Sequence, residues 1–171
     1  MRVRKLQMKD APLMLEWMHE LDVVKDLRGN FLEKTLADCQ AFITAAQDLN
    51  ANLHLAVVDE EDTYMGTVSL KNIRDGAAEF AITMRTCAMG KGYARYAMDQ
   101  ILRIGFEQRG LDVICWCVSP QNQRALGFYD KNGYQQMEKG VYYTGMDSYS
   151  SENNRNLIWY CVKRDMMTGK L

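Results

Sequence analysis

The chain has 171 residues, 47% of them apolar and 25% charged, with a net charge of -1 at pH 7. That size suits one domain with a full core, and the near-neutral charge argues against a general nucleic-acid or anionic-membrane binder. No apolar run approaches the roughly 20 residues of a membrane span, and no apolar segment follows the basic start Met1-Arg2-Val3-Arg4-Lys5, so the expected compartment is the cytoplasm.

In chain order, residues 3–7 read as a first strand. Asp10-Ala11-Pro12 opens a helix, with Asp10 as N-cap and Pro12 in the first turn. Leu13, Met14, Trp17, Met18 and Leu21 form its apolar stripe. Residues 22–31 read as irregular and end in the breaker pair Gly29-Asn30. A second helix is expected over residues 32–49. Residues 52–58 read as a strand buried on both faces, and residues 64–72 as the next, joined by an acidic turn. Asp75-Gly76 closes a hairpin into a strand over residues 77–84. A helix follows from Tyr93 to Gln108, with Ala94, Ala97, Met98, Ile101, Leu102 and Gly105 on one side. Then come a strand over 113–118, a helix from Asn122 to about Asn132, and two strands near 134–143 and 157–163. No repeat or linker marks a boundary, so residues 1–171 are expected to form a single domain.

The five cysteines lie mostly inside expected strands and helices, Cys115 and Cys117 sharing one face of a strand. Buried free thiols are therefore favoured over a disulfide framework or a metal site, and no metal is expected. His19 and His54 read as structural or solvated, because neither has a recognisable nucleophile partner.

Between the 77–84 strand and the helix after it lies Met89-Gly90-Lys91-Gly92-Tyr93-Ala94. A glycine-rich turn at a helix N-terminus offers unpaired N–H groups and the positive end of a dipole to an anion such as a pyrophosphate. A ligand-free loop reads equally well from this stretch alone. The Rossmann fingerprint fails because Arg95 stands where a third small residue is needed, and the P-loop fails on spacing.

The stretch Asn122-x-x-Ala125-x-x-x-Tyr129-x-Lys131-x-Gly133-Tyr134, taken with Met89-x-x-Gly92-x-Ala94, resembles the GNAT superfamily of acetyl-CoA-dependent N-acetyltransferases. The resemblance is sharp from Glu79 to Tyr134. Met89 departs from it, standing where Arg or Gln is usual. It implies an α/β fold: a mixed, mostly antiparallel central sheet with a parallel βαβ unit for acetyl-CoA and helices on both faces. The strands holding Ile82–Met84 and Val113–Val118 would splay apart, with Ile82 and Met84 offering backbone to the cofactor's arm. Met89, Gly90, Lys91, Gly92, Tyr93, Ala94 and Asn122 would hold the rest of the cofactor. Asn122 also reads as the N-cap of its own helix.

The reaction implied is transfer of the acetyl group to a primary amine by direct attack in a ternary complex. By the same resemblance Tyr129 is the acid for the leaving thiolate and Glu79 the base, or else a carboxylate that only binds cationic substrate. Trp17, Asp22, Asp26, Arg28, Asn30 and Phe31, facing Tyr142, Tyr143, Asp147 and Tyr149, are the acceptor candidates, with Trp17, Asp22, Arg28 and Tyr142 foremost. Glu79, Asp22, Asp26 and Asp147 are expected to form an acidic mouth. The acceptor is a small-molecule or peptide amine: a peptide N-terminus, amino sugar, polyamine or antibiotic. Residues 17–22 and Ala78-Glu79-Phe80 are closest in type to the branch acting on ribosomal-protein N-termini. The protein is expected to be a monomer or homodimer. The other reading is a non-catalytic acyl-CoA-binding or partner-binding module on the same fold.

Overall fold

A computed structural model describes residues 1–137 and 156–167. Its frame is a six-stranded sheet in sequential order: β1 (Arg2–Lys5), β2 (Leu53–Val58), β3 (Tyr64–Arg74), β4 (Ala77–Met84), β5 (Val113–Val118) and β6 (Ile158–Lys163). Every neighbouring pair is antiparallel except β4 and β5, which run parallel. The parallel pair requires a crossover, and α4 (Tyr93–Arg103) supplies it, continued by one π-helical turn over Ile104–Gln108. Mixed α/β architecture is thus as the sequence implied.

Alternation along the strands sorts the core to two faces. Leu53, Leu55, Val57, Val68, Leu70, Phe80, Ile114 and Trp116 are buried together with Ala97, Met98, Ile101 and Leu102 of α4. On the opposite face Ala56, Val58 and Tyr64 meet Met14, Trp17 and Met18 of α1 (Ala11–Met18) and Cys39 and Ile43 of α3 (Leu36–Ala45). Among the described residues no helix is long and apolar enough to cross a membrane.

Local chemistry explains where the elements depart from expectation. The second long helix starts at Leu36 rather than Leu32 because Thr35 and Asp38 close a capping box: Asp38 N–H donates to Thr35 Oγ1 at 3.2 Å, and Thr35 N–H donates to the Asp38 carboxylate at 2.8 Å. Asp10 does not cap α1 with its side chain. Its buried carboxylate instead accepts from Gln7 N–H at 2.9 Å and from both terminal nitrogens of Arg4 at 2.8 Å, tying β1 to the turn before the helix. Part of the segment read as irregular is a one-turn helix, α2 (Leu21–Val24), which buries Val23 and Val24.

Two of the five cysteines correct the thiol expectation. Cys115 and Cys161 are register partners on β5 and β6 and are joined as a disulfide, whereas Cys39, Cys87 and Cys117 are free. No spacing along the chain signals a pair 46 residues apart whose meeting depends on strand register. After α5 (Gln123–Lys131), Gln136 bridges Tyr160, and most of the strand expected over 134–143 lies outside the described residues. The chain closes its described part with the short α6 (Arg164–Met167).

Candidate active site

The first cavity grows out of a turn and an opening in the sheet. At the turn, Gly90 and Gly92 have φ of +73° and +86°, the left-handed region that a Cβ resists. Gly92 is the N-cap of α4, and no side chain caps that terminus. The first-turn N–H groups and the positive dipole end are thus available to an anion. A Cβ placed on either glycine would meet no protein atom within 4 Å, so the space above the turn is free for a ligand.

The opening is set by register. β4 and β5 pair only at Ala77–Val113, Ala78–Ile114 and Glu79–Cys115. Beyond that point β4 continues against β3 up to Met84 while β5 continues against β6 up to Val118. The resulting cleft holds about 460 Å³ and is walled by Ile82, Thr83 and Met84, by Met89, Gly90, Gly92 and Ala94, and by Asn122, Arg124 and Tyr129. Of the cofactor residues expected from the sequence, Lys91 and Tyr93 do not line it. Lys91 is exposed, and Tyr93 packs in part against the core.

Asn122 has both parts the sequence suggested open to it. It caps α5 by accepting from Ala125 N–H at 3.0 Å, and at 7% exposure it also lines the cleft. Arg124, one residue before the matched Ala125, was missed. Its guanidinium reaches across to Met89, with Nη1 3.3 Å from the sulfur, so a cation stands beside the position that lacks its usual polar side chain. Tyr129 is 5% exposed and sits in a ring cluster with Trp116, Phe128, Tyr134 and Tyr160. Burial, reinforced by Tyr160 and Tyr134, pushes its phenol well above the ordinary range.

A second cavity of about 330 Å³ lies under α1 and α3. Trp17, Phe31 and Phe42 line it beside Met14 and Met18, with His54, Ser69, Lys71, Ala81, Ile82 and Thr83 as the strand side. Ile82 and Thr83 therefore belong to both cavities. His54 Nδ1 lies 2.7 Å from Ser69 Oγ, and its ring meets Phe42 edge-on with centroids 4.9 Å apart. Burial first, and Lys71 second, lower its pKa below the usual 6.5, so the ring is neutral at pH 7. The sequence offered no signal for His54, because its partner is set by pairing between β2 and β3.

Among the described residues, Glu79, Asp22 and Asp26 of the expected acidic mouth are not brought together. Glu79 is 8% exposed and lines neither cavity; its carboxylate accepts from Lys71 Nζ at 2.8 Å and from Asn72 Nδ2 at 3.3 Å. Asp22 points to solvent with its side chain 91% exposed and pairs with Lys25 at 3.0 Å. Asp26 and Arg28 line a separate shallow recess with Ser119 and Gln121. Of the acceptor candidates Trp17 and Phe31 line the second cavity, and Tyr142, Tyr143, Asp147 and Tyr149 lie outside the described residues.

A sheet opened beside an uncapped helix terminus, with a cation and an amide on its far wall, defines a site for an elongated anionic ligand such as an acyl-CoA. The chain belongs to the GNAT family, whose acetyltransferase-domain model matches residues 1–135. It is similar to an uncharacterised N-acetyltransferase of Bacillus licheniformis, at 25% identity over 78% of each sequence. A second, from Bacillus subtilis, matches at 27% identity over 70% of each. Among solved structures, the spermidine N-acetyltransferase of Vibrio cholerae in complex with CoA and spermine superimposes with a TM-score of 0.78 at 18% identity, over 98% of this chain and 97% of that one. A GNAT acetyltransferase of Bacillus anthracis gives 0.73 at 20% identity, over 95% and 94%. The protein is an acetyl-CoA-dependent N-acetyltransferase.

Proposed function

We propose that the enzyme acetylates a primary amine by direct attack in a ternary complex, with acetyl-CoA in the open cleft and the amine in the cavity under α1 and α3. The observation that carries this reading is the shared wall: Ile82 and Thr83 border both spaces, so two ligands entering from opposite sides meet there. Acetyl-CoA supplies an activated thioester carbonyl, and the chain's residues bind, orient and stabilise charge around it. The turn at Gly90 and Gly92, with Arg124 and Asn122 opposite, fits its phosphate-bearing part.

The amine nitrogen bonds to the carbonyl carbon as the carbon–sulfur bond breaks, and the proton released by the nitrogen balances the charge of the departing thiolate. Tyr129 borders the cleft where that charge develops. Its raised pKa keeps the phenol protonated at every physiological pH, but also makes a buried phenolate costly. Tyr129 therefore acts as a hydrogen-bond donor to the developing thiolate more than as a group that gives its proton away. Glu79, behind the cavity wall, acts through Lys71 as a positioning residue. Consumption of acetyl-CoA supports the cytoplasm as the working compartment.

Initial-rate kinetics test the ternary complex. Double-reciprocal lines that intersect are expected when both substrates are varied. Parallel lines, or an isolable acetyl-enzyme, would overturn direct attack.

A further inference from the structure

The second cavity carries a specific statement about the acceptor, resting on the proposed reading of that space as the acceptor site. Its strand side runs from His54 through Ser69 to Ala81, which are register partners on β2, β3 and β4. Two strand spacings separate its ends, or roughly 10 Å. That span fits a ring plus a short linker, and about 330 Å³ lies at the small end of ligand pockets. The side formed by α1, α3 and the segment between them is aromatic and thioether: Trp17 and Phe31, whose centroids are 5.4 Å apart, then Phe42, Met14 and Met18.

The charged groups on this wall are one rim carboxylate against two lysines, a poor match for a polycation. Asp38 is its one carboxylate among the described residues; it sits exposed at the rim, with Oδ2 accepting from Thr35 N–H and Oγ1. Lys71 is paired with Glu79, and Lys34 adds a second positive charge. His54, bonded to Ser69, is a neutral polar group at the end of the cavity away from Ile82 and Thr83. A molecule with several ammonium groups along its length would find one carboxylate for them and two lysines repelling them, so most would be desolvated without a charge partner. A molecule with a single amine puts that nitrogen at Ile82 and Thr83 and its body against the apolar wall. There burial also favours the neutral, nucleophilic form of the amine.

We infer that the acceptor is a monoamine with an aromatic or branched aliphatic body seated among Trp17, Phe31 and Phe42, and not a polyamine. A hydroxyl at the far end of that body would meet the His54–Ser69 pair.

The experiment uses the purified full chain, calorimetry with acetyl-CoA, and thiol release with 2-phenylethylamine, tyramine and isopentylamine against spermidine and putrescine. Acetyl-CoA is expected to bind, and kcat/KM for the best apolar monoamine should exceed that for spermidine at least about tenfold. Phe31→Ala should raise KM for that monoamine several-fold without changing acetyl-CoA affinity, and Phe31→Glu should narrow the preference over spermidine. If acetyl-CoA binds but spermidine is the better acceptor, or no monoamine is turned over, the inference falls and the cofactor site stands. If acetyl-CoA does not bind, the proposed function falls first and takes the inference with it.

Discussion

The cleft and the cavity meet at Ile82 and Thr83 but are built in different ways. The cleft is mostly backbone: a left-handed turn, an uncapped helix terminus and two strands whose ladder stops at Glu79–Cys115. The cavity is mostly side chain, its walls drawn from α1, α3, the segment between them and three strands. Backbone recognition tolerates sequence change around it, so one cofactor can be kept while the acceptor wall is rewritten. Substitutions in the cleft should therefore damage cofactor binding or turnover with every acceptor, and substitutions in the cavity should change which acceptor is used.

The largest effect is expected at Tyr129. Tyr129→Phe keeps the ring cluster with Trp116 and Tyr160, so the melting temperature should stay close to that of the parent. Losing the donor should lower kcat by about 100-fold, the typical effect of removing one such group, with acetyl-CoA affinity unchanged by calorimetry. Turnover equal to the parent enzyme's would make Tyr129 a core residue only.

Gly92→Val comes next and attacks the backbone half of the comparison. A β-branched residue at φ +86° is strained by about 1–2 kcal/mol even though its Cβ meets no protein atom. Acetyl-CoA affinity should fall by roughly tenfold or more, because the turn loses its shape and the new side chain enters the ligand's space. Undiminished affinity would remove the turn from the site. Arg124→Ala should cost less, about fivefold in affinity, with a weaker dependence on salt than the parent shows, since an ionic contact is removed. The same affinity and salt dependence as the parent would leave Arg124 a surface cation.

That contrast also explains what could be read from the sequence. The strands at Ala77–Met84 and Val113–Val118 appear at the bounds expected, and the Asn122 and Gly92 ends of α5 and α4 follow from local spacing. Each is a short-range signal. The cavity is not, because His54, Ser69 and Ala81 become neighbours only through register across three strands. Glu79 and Asp22 stand apart for a related reason. Charge type says nothing of direction: Asp22 falls on the solvent side of a helical turn that the sequence did not announce, and Glu79 is matched by Lys71 across a β3–β4 pair. Arg124 was hidden because its partner Met89 is 35 residues away, on the other side of the cleft.

The smallest effect expected tests the neutral character of the cavity through His54. Four groups surround the ring: Ser69 bonded to Nδ1, Phe42 against its edge, Lys71 close enough to repel a second positive charge, and the apolar wall that desolvates it. Burial by the apolar wall first, and Lys71 second, favour the neutral imidazole, so the folded-state pKa lies below the unfolded value near 6.5. The unfolded chain thus binds more protons than the folded one between those two values, so stability rises with pH across that window. This contribution is fully present above about pH 6.5 and is lost as pH falls toward the folded pKa. His54→Gln removes the titrating ring, and its amide oxygen or nitrogen can still meet Ser69. Denaturant midpoints measured every half unit from pH 5 to 8 should show a shallower slope for His54→Gln than for the parent below pH 6.5, with the curves parallel above it. Identical slopes would mean that the ring takes up its proton as easily in the folded protein as in the unfolded chain. In that case the far end of the cavity could carry a positive charge near neutral pH, disfavouring cationic acceptors still further.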